Sequence, residues 1–250
     1  MAQLTDDCFA FGGPLLTVDD VERLIAERVT PVAGTERVAL RQARGRVLAG
    51  DVLASISLPP FDNSAVDGYA VRHSDLKPGG ETRLEIGTPV FAGHAGGASV
   101  AGQAIRIFTG APMPEGADTV FMQEDCRVDD DAVILPSGLK VGANRRLKGE
   151  DVKAGNVVLA AGTRLAVHHI AMAAAVGLTE LDVRRRVRVA IFSTGDEIVE
   201  PGSALPKAAV YDANRALLIA MAESLGADVT DLGILKDDEN VLAGALAGAA

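Results

Sequence analysis

The sequence is poor in aromatic residues, cysteine and positive charge. It has no tryptophan, and its two cysteines, Cys8 and Cys126, are too few for a disulfide framework and lack the paired spacing of a zinc site. We therefore expect a reducing compartment, the cytoplasm. Lys and Arg number 24 against 34 Asp and Glu, a formal charge of -10. Since nucleic-acid binding depends on cations that neutralise phosphates, we expect no nucleic-acid partner.

Long apolar runs are also missing. The longest weakly polar run, Ile170–Val176, is far shorter than the roughly 20 residues that span a bilayer. The segment Met1–Asp7 carries two acids and no cationic stretch, which does not match a secretory signal. We expect no membrane association. The 48% apolar and 23% charged residues are typical of a globular protein, and 250 residues exceed one typical domain.

The apolar pattern changes along the chain. Asp19–Val29 has helical spacing, with Thr17 or Asp19 as the N-cap. Residues 55–131 contain short runs of Val, Ile, Thr and Phe separated by Gly and Pro pairs, which predicts a small β domain. Residues 162–177 return to a helical pattern that Gly177 ends. The chain is thus predicted to leave a helical lobe, form a β domain and return.

The last section predicts a strand, helix, strand unit. Val187–Phe192 and Asp228–Leu235 are the candidate strands. The helix between them is capped by Asp212 and ends at Gly226. Such a unit should have parallel strands and a right-handed crossover. A further helix is expected from Val241 onward.

Four short segments carry the most specific signal. They are PPFDNSAVDGYA (59–70), IFTGAP (107–112), KGED (148–151) and FSTGDE (192–197). On chemistry alone, the first is best explained as a loop tied down by its own Asx turns. Together, and in this order, the four resemble the signature segments of the molybdopterin molybdenumtransferase family. The resemblance extends from about Thr17 to Asp238.

The resemblance implies a multidomain fold that mixes α/β and β structure. Residues 1–54 and 142–183 would form a helical, mixed N-terminal lobe, and residues 55–141 an inserted small β domain. Residues 184–250 would begin an α/β, three-layer domain of the molybdopterin-binding type. The family pattern also implies a homodimer in which Asp62 and Glu197 of one shared site come from different chains.

The implied activity is molybdenum insertion in molybdenum cofactor biosynthesis. Molybdate would be transferred to the dithiolene sulfurs of adenylylated molybdopterin, with release of AMP. The implied metal is Mg²⁺, held by Glu197 and Asp237 together with phosphate oxygens. A metal would also let an acidic protein bind two anionic substrates.

The candidate site residues lie in the four matched segments, except for Arg146 and Asp237. The catalytic candidates are Asp62, Thr109, Asp151, Glu197 and Asp237. The substrate-binding candidates are Ser193, Thr194, Gly195, Asp196 and Arg146. Independently of the resemblance, Ser193–Glu197 follows a predicted parallel strand, the edge at which open α/β sheets bind ligands, and Asp237 follows its neighbour. Gly195 would let the backbone approach a phosphate.

Each candidate has a plainer explanation. Ser193–Glu197 fits an ordinary loop between strand and helix, and Asp237 with Asp238 fits an N-cap pair for the last helix. Thr109 fits a turn residue, and Asp151 fits an ion-pair partner of Arg145, Arg146 or Lys148. Leu147, where many relatives carry a basic residue, weakens an anion-binding role for that run.

The resemblance also implies that relatives continue with segments this sequence lacks: a Gly-Gly-Val-Ser segment, further acids, a Pro-Gly-Asn-Pro segment and a small β domain. We therefore expect these 250 residues alone to show no turnover. The alternative hypothesis is a non-catalytic dimerisation or binding module of the same family. A relative that adenylylates molybdopterin is disfavoured because it lacks the Asp62 loop.

Overall fold

The computed structural model describes residues 16–249; Cys8 and Met1–Asp7 lie outside them. The chain divides into two compact units. Arg37–Val183 is called the central unit, and the described residues on either side of it, 16–36 and 184–249, are called the terminal unit. Helices and strands occur in both, which confirms a mixed α and β fold.

One core of the central unit is built from segments that flank its middle. β1 (Thr35–Ala39), which enters this unit at Arg37, pairs with β12 (Glu180–Arg184), which leaves it after Val183. β2 (Val52–Leu53) pairs with β11 (Val157–Leu159). The short helix α2 (Leu40–Ala43) and the helix α3 (Val167–Ala175) contribute to the same core. The buried core residues are Ala43, Leu48, Leu159, Leu165, Ala173, Leu181 and Val183. Residues far apart in sequence thus share this core.

The middle of the central unit is a six-stranded sheet. Its strands are β4 (Gly68–Val71), β5 (Thr82–Val90), β6 (Gln103–Ile107), β7 (Thr119–Met122), β8 (Arg127–Asp129) and β9 (Ala132–Leu135). Their order in the sheet is β7-β4-β6-β5-β9-β8, with β5 and β6 parallel and the other neighbours antiparallel. Short 3-10 helices span His73–Asp75 and Gln123–Asp125. This sheet confirms the predicted β structure.

Side chains of the sheet pack into two separate clusters. Tyr69 and Val71 belong to one cluster, and Ala70 belongs to the other, as the alternation of a strand requires. β4 and β7 approach closely at Gly68. A Cβ atom at Gly68 would lie 1.7 Å from the carbonyl oxygen of Phe121, so glycine is required there.

The terminal unit begins with α1 (Val18–Arg28). Of the two candidate caps, the structure selects Thr17, whose hydroxyl oxygen accepts from the backbone N–H of Asp20. The Asp20 carboxylate in turn accepts from the Thr17 backbone N–H, which completes a capping box.

The rest of the terminal unit contains the predicted strand, helix, strand unit. β13 (Arg188–Thr194) and β16 (Asp228–Leu235) are parallel neighbours, with α4 (Ala213–Ser224) between them in sequence. This confirms the predicted parallel pairing. A second parallel pair joins the two-residue strands β14 (Ile198–Val199) and β15 (Val210–Tyr211), and α5 (Glu239–Ala249) ends the described chain.

Helix α4 begins and ends as predicted. Asp212 accepts from the backbone N–H of Arg215 as the N-cap, and Gly226 follows the C-cap with φ of 86°. Its apolar side chains are largely exposed, and Arg215 is its buried residue. Within residues 16–249, no helix has the length and apolar character needed to cross a bilayer.

Candidate functional site

Three of the four signature segments meet in the central unit. The two-residue strands β3 (Asn63–Ser64) and β10 (Arg145–Arg146) are antiparallel partners. Ser64 donates its N–H to Ala111 O at 3.0 Å and accepts at its own carbonyl from Gly110 N–H at 2.8 Å. The Asp62 loop therefore bridges the IFTGAP segment and the segment leading to Asp151.

Asp62 holds two of these segments together. Its Oδ1 accepts from the backbone N–H of Lys148 at 2.7 Å, and its Oδ2 lies 3.9 Å from Nε of Arg145. Ser64 meanwhile bonds with Val66 within the same loop, its hydroxyl donating to Val66 O at 2.5 Å. The loop is thus tied down by its own polar groups, as the plainer explanation expects.

Asp151 pairs with Arg146, one of the three cations considered for it. The separation of Arg146 Nη2 from Asp151 Oδ1 is 2.5 Å, and Arg146 Nε also donates to Glu150 at 3.4 Å. The hydrogen bond that Arg146 donates to Asp151 raises the pKa of the Arg146 guanidinium. An anion that binds Arg146 must therefore compete with two carboxylates.

Thr109 is exposed but already engaged. Its backbone N–H and its hydroxyl both donate to Asp67, a residue that the sequence analysis did not single out. In this arrangement the hydroxyl of Thr109 is left as an acceptor. Asp67 was detectable in principle, because it lies five residues after Asp62 in the same polar loop.

The fourth segment lies in the terminal unit, where β13 ends. Ser193 pairs with Ile234 and Thr194 with Leu235, so both parallel strands leave the sheet at one edge. Glu197 follows three residues after Thr194, and Asp237 two residues after Leu235. The structure thus brings the two predicted strand ends together at their carboxyl edge.

Gly195 has a backbone conformation that favours glycine, with φ of 143°. A Cβ atom there would lie 2.7 Å from Oε2 of Glu197. The carboxylate of Glu197 therefore lies against the backbone of Gly195, on the exposed part of the loop that also holds Asp196.

The hydroxyl of Ser193 is engaged within the protein, because it donates to Oδ1 of Asp212 at 3.0 Å. Burial by itself raises the pKa of the Asp212 carboxyl, but hydrogen bonds from Arg215 and Ser193 outweigh it, and the pKa lies below its ordinary value. The helix cap predicted at Asp212 is therefore also a link to the strand end.

Arg215 is the centre of the main ionic cluster of the terminal unit. Its Nε donates to Asp212 at 2.7 Å, its Nη1 to Asp231 at 2.6 and 2.5 Å, and its Nη2 to Glu200 at 2.5 Å. The hydrogen bonds that it donates to Asp212 and Asp231 raise the pKa of the Arg215 guanidinium. Sequence analysis missed this residue. The available signal was a cation in the first turn of a helix, where the dipole disfavours it unless acids lie close.

The two aspartates after β16 have different environments. Asp238 caps α5, because its Oδ1 accepts from the N–H groups of Asn240 at 2.9 Å and Val241 at 3.1 Å. Within the described residues, the exposed side chain of Asp237 has no hydrogen bond or ion pair. The N-cap explanation accounts for Asp238 but not for Asp237, whose carboxylate is available to bind a ligand.

A divalent metal would need ligands from outside the described protein residues. Between residues 16 and 249, no group of three or more His, Cys, Asp or Glu side chains is arranged to hold a metal ion. Two carboxylates that follow adjacent strands still suit Mg²⁺, which is usually held by one or two carboxylates plus substrate phosphates and water. The donor chemistry of Glu197 and Asp237 therefore fits Mg²⁺ bound together with a phosphate.

Comparison with known proteins identifies a class concerned with molybdopterin. Residues 16–177 match the family model of the MoeA N-terminal region (domains I and II), and residues 190–250 match a probable molybdopterin-binding domain. The first match covers more than half of the chain. The chain therefore belongs to the MoeA family of molybdopterin molybdenumtransferases.

Individual relatives agree with this assignment. A molybdopterin molybdenumtransferase of Haemophilus influenzae is 40% identical over 90% of this chain and 56% of its own, and one of Nostoc is 39% identical over 92% and 54%. The crystal structure of a molybdopterin biosynthesis MoeA protein from Pyrococcus horikoshii matches with TM-score 0.83 at 33% identity, covering 91% of this chain and 62% of that one. The chain spans about half the length of the curated relatives it matches.

Proposed function

We propose that this chain takes part in molybdenum insertion, the transfer of molybdenum from molybdate to the dithiolene sulfurs of adenylylated molybdopterin with release of AMP, in the cytoplasm. Family membership supports the substrate class. The observation that carries the proposal is the shared edge of β13 and β16, after which the exposed carboxylates of Glu197 and Asp237 follow. An open parallel sheet binds ligands at this edge.

Glu197 and Asp237 would hold Mg²⁺. The metal would neutralise phosphate charge as the phosphoanhydride is cleaved. The chain's own groups would bind and orient the substrate: the backbone at Gly195 approaches the phosphate, and the hydroxyl of Thr194, unbonded within the described residues, donates to it. Asp196 would line the same loop.

The cluster around Asp62 would form the second half of the site. The pairing of β3 with β10 brings Asp62 near the Arg146–Asp151 pair, and the backbone bonds of Ser64 with Gly110 and Ala111 bring the Thr109 segment to the same loop. In the proposed homodimer this cluster comes from the partner subunit. Because Arg146 and Asp151 neutralise each other, they would position groups in the cleft rather than supply net charge.

The test is molybdate-dependent AMP release by the full-length protein that contains this chain. Replacing Glu197 by Gln or Asp237 by Asn should lower the rate at least about 100-fold, the range seen when transition-state charge loses a stabilising group. Asp238→Asn is the matched control, since asparagine also caps helices and the rate should remain close to wild type. Wild-type rates in both Glu197→Gln and Asp237→Asn would remove these carboxylates from the site.

One observation favours the alternative of a non-catalytic binding or dimerisation module. Asp62, Thr109, Arg146 and Asp151 all have partners inside the protein, as purely structural residues would. In that case Thr109→Val and Asp151→Asn would change dimer affinity in sedimentation and leave AMP release of the full-length protein unchanged. A loss of AMP release in intact dimers would exclude this alternative.

A further inference from the structure

The loop that carries Glu197 is linked to Arg215 at both ends, through Asp212 at one end and directly at the other. At its beginning, Ser193 bonds with Asp212, and Asp212 bonds with Nε of Arg215. At its end, Glu200 accepts directly from Nη2 of the same guanidinium. The segment 194–199, with Gly195 and Glu197 inside it, therefore lies between two anchors that share Arg215.

The third nitrogen of the Arg215 guanidinium, Nη1, connects the side chain to the sheet. Nη1 reaches both carboxylate oxygens of Asp231 in β16, whose Oδ1 also accepts from the backbone N–H of Gly233 at 2.8 Å. β16 is the strand that leads to Asp237. One planar group thus connects the Glu197 loop with the strand that carries the second proposed metal ligand.

The chemistry of this cluster requires arginine. Arg215 is 7% exposed and Asp212 is 4% exposed, so their charges are largely removed from water and depend on each other. The guanidinium has donors in a fixed planar fork, and here that fork serves three carboxylates in three directions. Lysine would keep the charge, but its three N–H donors share one nitrogen atom, whereas Arg215 uses three separate nitrogens to reach the three carboxylates.

Helix stability alone does not explain the arrangement. A cation in the first turn of α4 opposes the helix dipole, and the cap is already provided by Asp212. The contacts of Arg215 beyond the cap go to Glu200 and Asp231, which lie outside the helix. The side chain is directed at the loop and the strand.

We propose that Arg215 is a positioning residue that fixes the ends of the 193–200 loop and, through them, the carboxylate of Glu197 beside the end of β16. The role given to Glu197 rests on the proposed function; the positioning of the loop does not. Arg215 contacts no substrate in this account. It acts through Ser193 and Glu200.

The first test is amide hydrogen exchange of the 193–200 peptide in this chain. Arg215→Lys and Glu200→Gln should each increase exchange at least about tenfold, with the amides of β16 and of the central unit unchanged, because a local opening exposes only its own segment. Glu223→Gln is the matched control, an exposed residue of the same helix that should leave exchange unchanged. Unchanged exchange of the peptide in Glu200→Gln, or an equal increase throughout β16, would overturn the proposal.

The second test separates positioning from general stability. In the full-length protein, Glu200→Gln should lower the rate of AMP release about tenfold when Glu197 is present, and should have no further effect on the residual rate of Glu197→Gln. Equal effects in both backgrounds would show that Glu200 and Arg215 do not act through Glu197. If wild-type protein releases no AMP, the proposed function fails, and the exchange experiment still decides whether Arg215 positions the loop.

Discussion

Thr109 gives both of its hydrogen-bond donors to one atom, Oδ1 of Asp67, at 2.8 Å from its backbone nitrogen and 2.7 Å from its hydroxyl oxygen. The backbone N–H, followed by the hydroxyl, lowers the pKa of the Asp67 carboxyl. A residue predicted as a catalytic candidate therefore has both of its donors engaged within the protein. Any contact of its hydroxyl with substrate must use the oxygen as an acceptor, or displace Asp67.

Replacing Thr109 by Val tests this relationship. The variant loses the hydroxyl but keeps the backbone N–H, so the pKa of Asp67 should rise only part of the way to its ordinary value. Carboxyl carbon NMR titration measures this shift. Thr109→Ser, which keeps the hydroxyl, should retain the low pKa, and an unchanged Asp67 pKa in Thr109→Val would contradict the hydroxyl bond.

Gly68→Ala should destabilise the six-stranded sheet. The new methyl group would clash with the carbonyl oxygen of Phe121. Because this oxygen belongs to the backbone of β7, it can move away only if β4 and β7 separate. We expect the free energy of unfolding to fall by at least about 2 kcal/mol, as for other overpacked sites. Urea unfolding followed by Tyr69 fluorescence in a Tyr211→Phe background measures it.

Gly97→Ala is the control for that substitution. A Cβ atom at Gly97 has no neighbour within 4 Å, and the residue has no positive φ. Its free energy of unfolding should match the parent protein. Equal stability of the Gly68 and Gly97 variants would show that β4 and β7 do not approach as closely as described.

The Arg215 cluster should make the terminal unit sensitive to acid. The pKa of Asp231 is lowered by the backbone N–H of Gly233 and by Arg215, and the pKa of Asp212 is also lowered. A carboxyl whose pKa is lower in the folded protein than in the unfolded chain binds fewer protons in the folded state. Its stabilising contribution is therefore present above its ordinary pKa of about 3.9 and is lost as the pH falls through the folded value.

Asp231→Asn should therefore be less stable than wild type at pH 7, and the difference should shrink as the pH falls below about 4. Urea unfolding followed by Tyr211 fluorescence in a Tyr69→Phe background measures both proteins. Asp228→Asn is the control on the same strand, since its exposed carboxylate lies 3.9 Å from Arg186. A stability difference for Asp231→Asn that stays constant from pH 7 to pH 3 would contradict the role given to its charge.

Local sequence patterns predicted the helices and strands well, but they did not predict which side chains interact. Asp212 and Gly226 delimit α4 because capping and the left-handed C-terminal residue are local effects. Parallel pairing of β13 with β16 follows from the length of the connection between them. The resemblance identified the family through four motifs in order, which no single motif establishes.

Partners distant in sequence were not predictable in this way. The pairing of Asp62 with the Lys148 backbone spans 86 positions, and nothing local at either residue indicates it. Arg215 was missed because its three carboxylates come from a loop, a cap and a strand. The three-part division of domains stays a prediction, and so do the roles of the site residues.

The most direct test of the account is the position of a divalent ion in crystals of the full-length protein grown with adenylylated molybdopterin and Mn²⁺. We expect an anomalous peak within about 2.5 Å of a carboxylate oxygen of Glu197 and of one from Asp237, with a phosphate oxygen as a further ligand. A peak bound by other side chains, or a pterin phosphate located away from the shared end of β13 and β16, would contradict it.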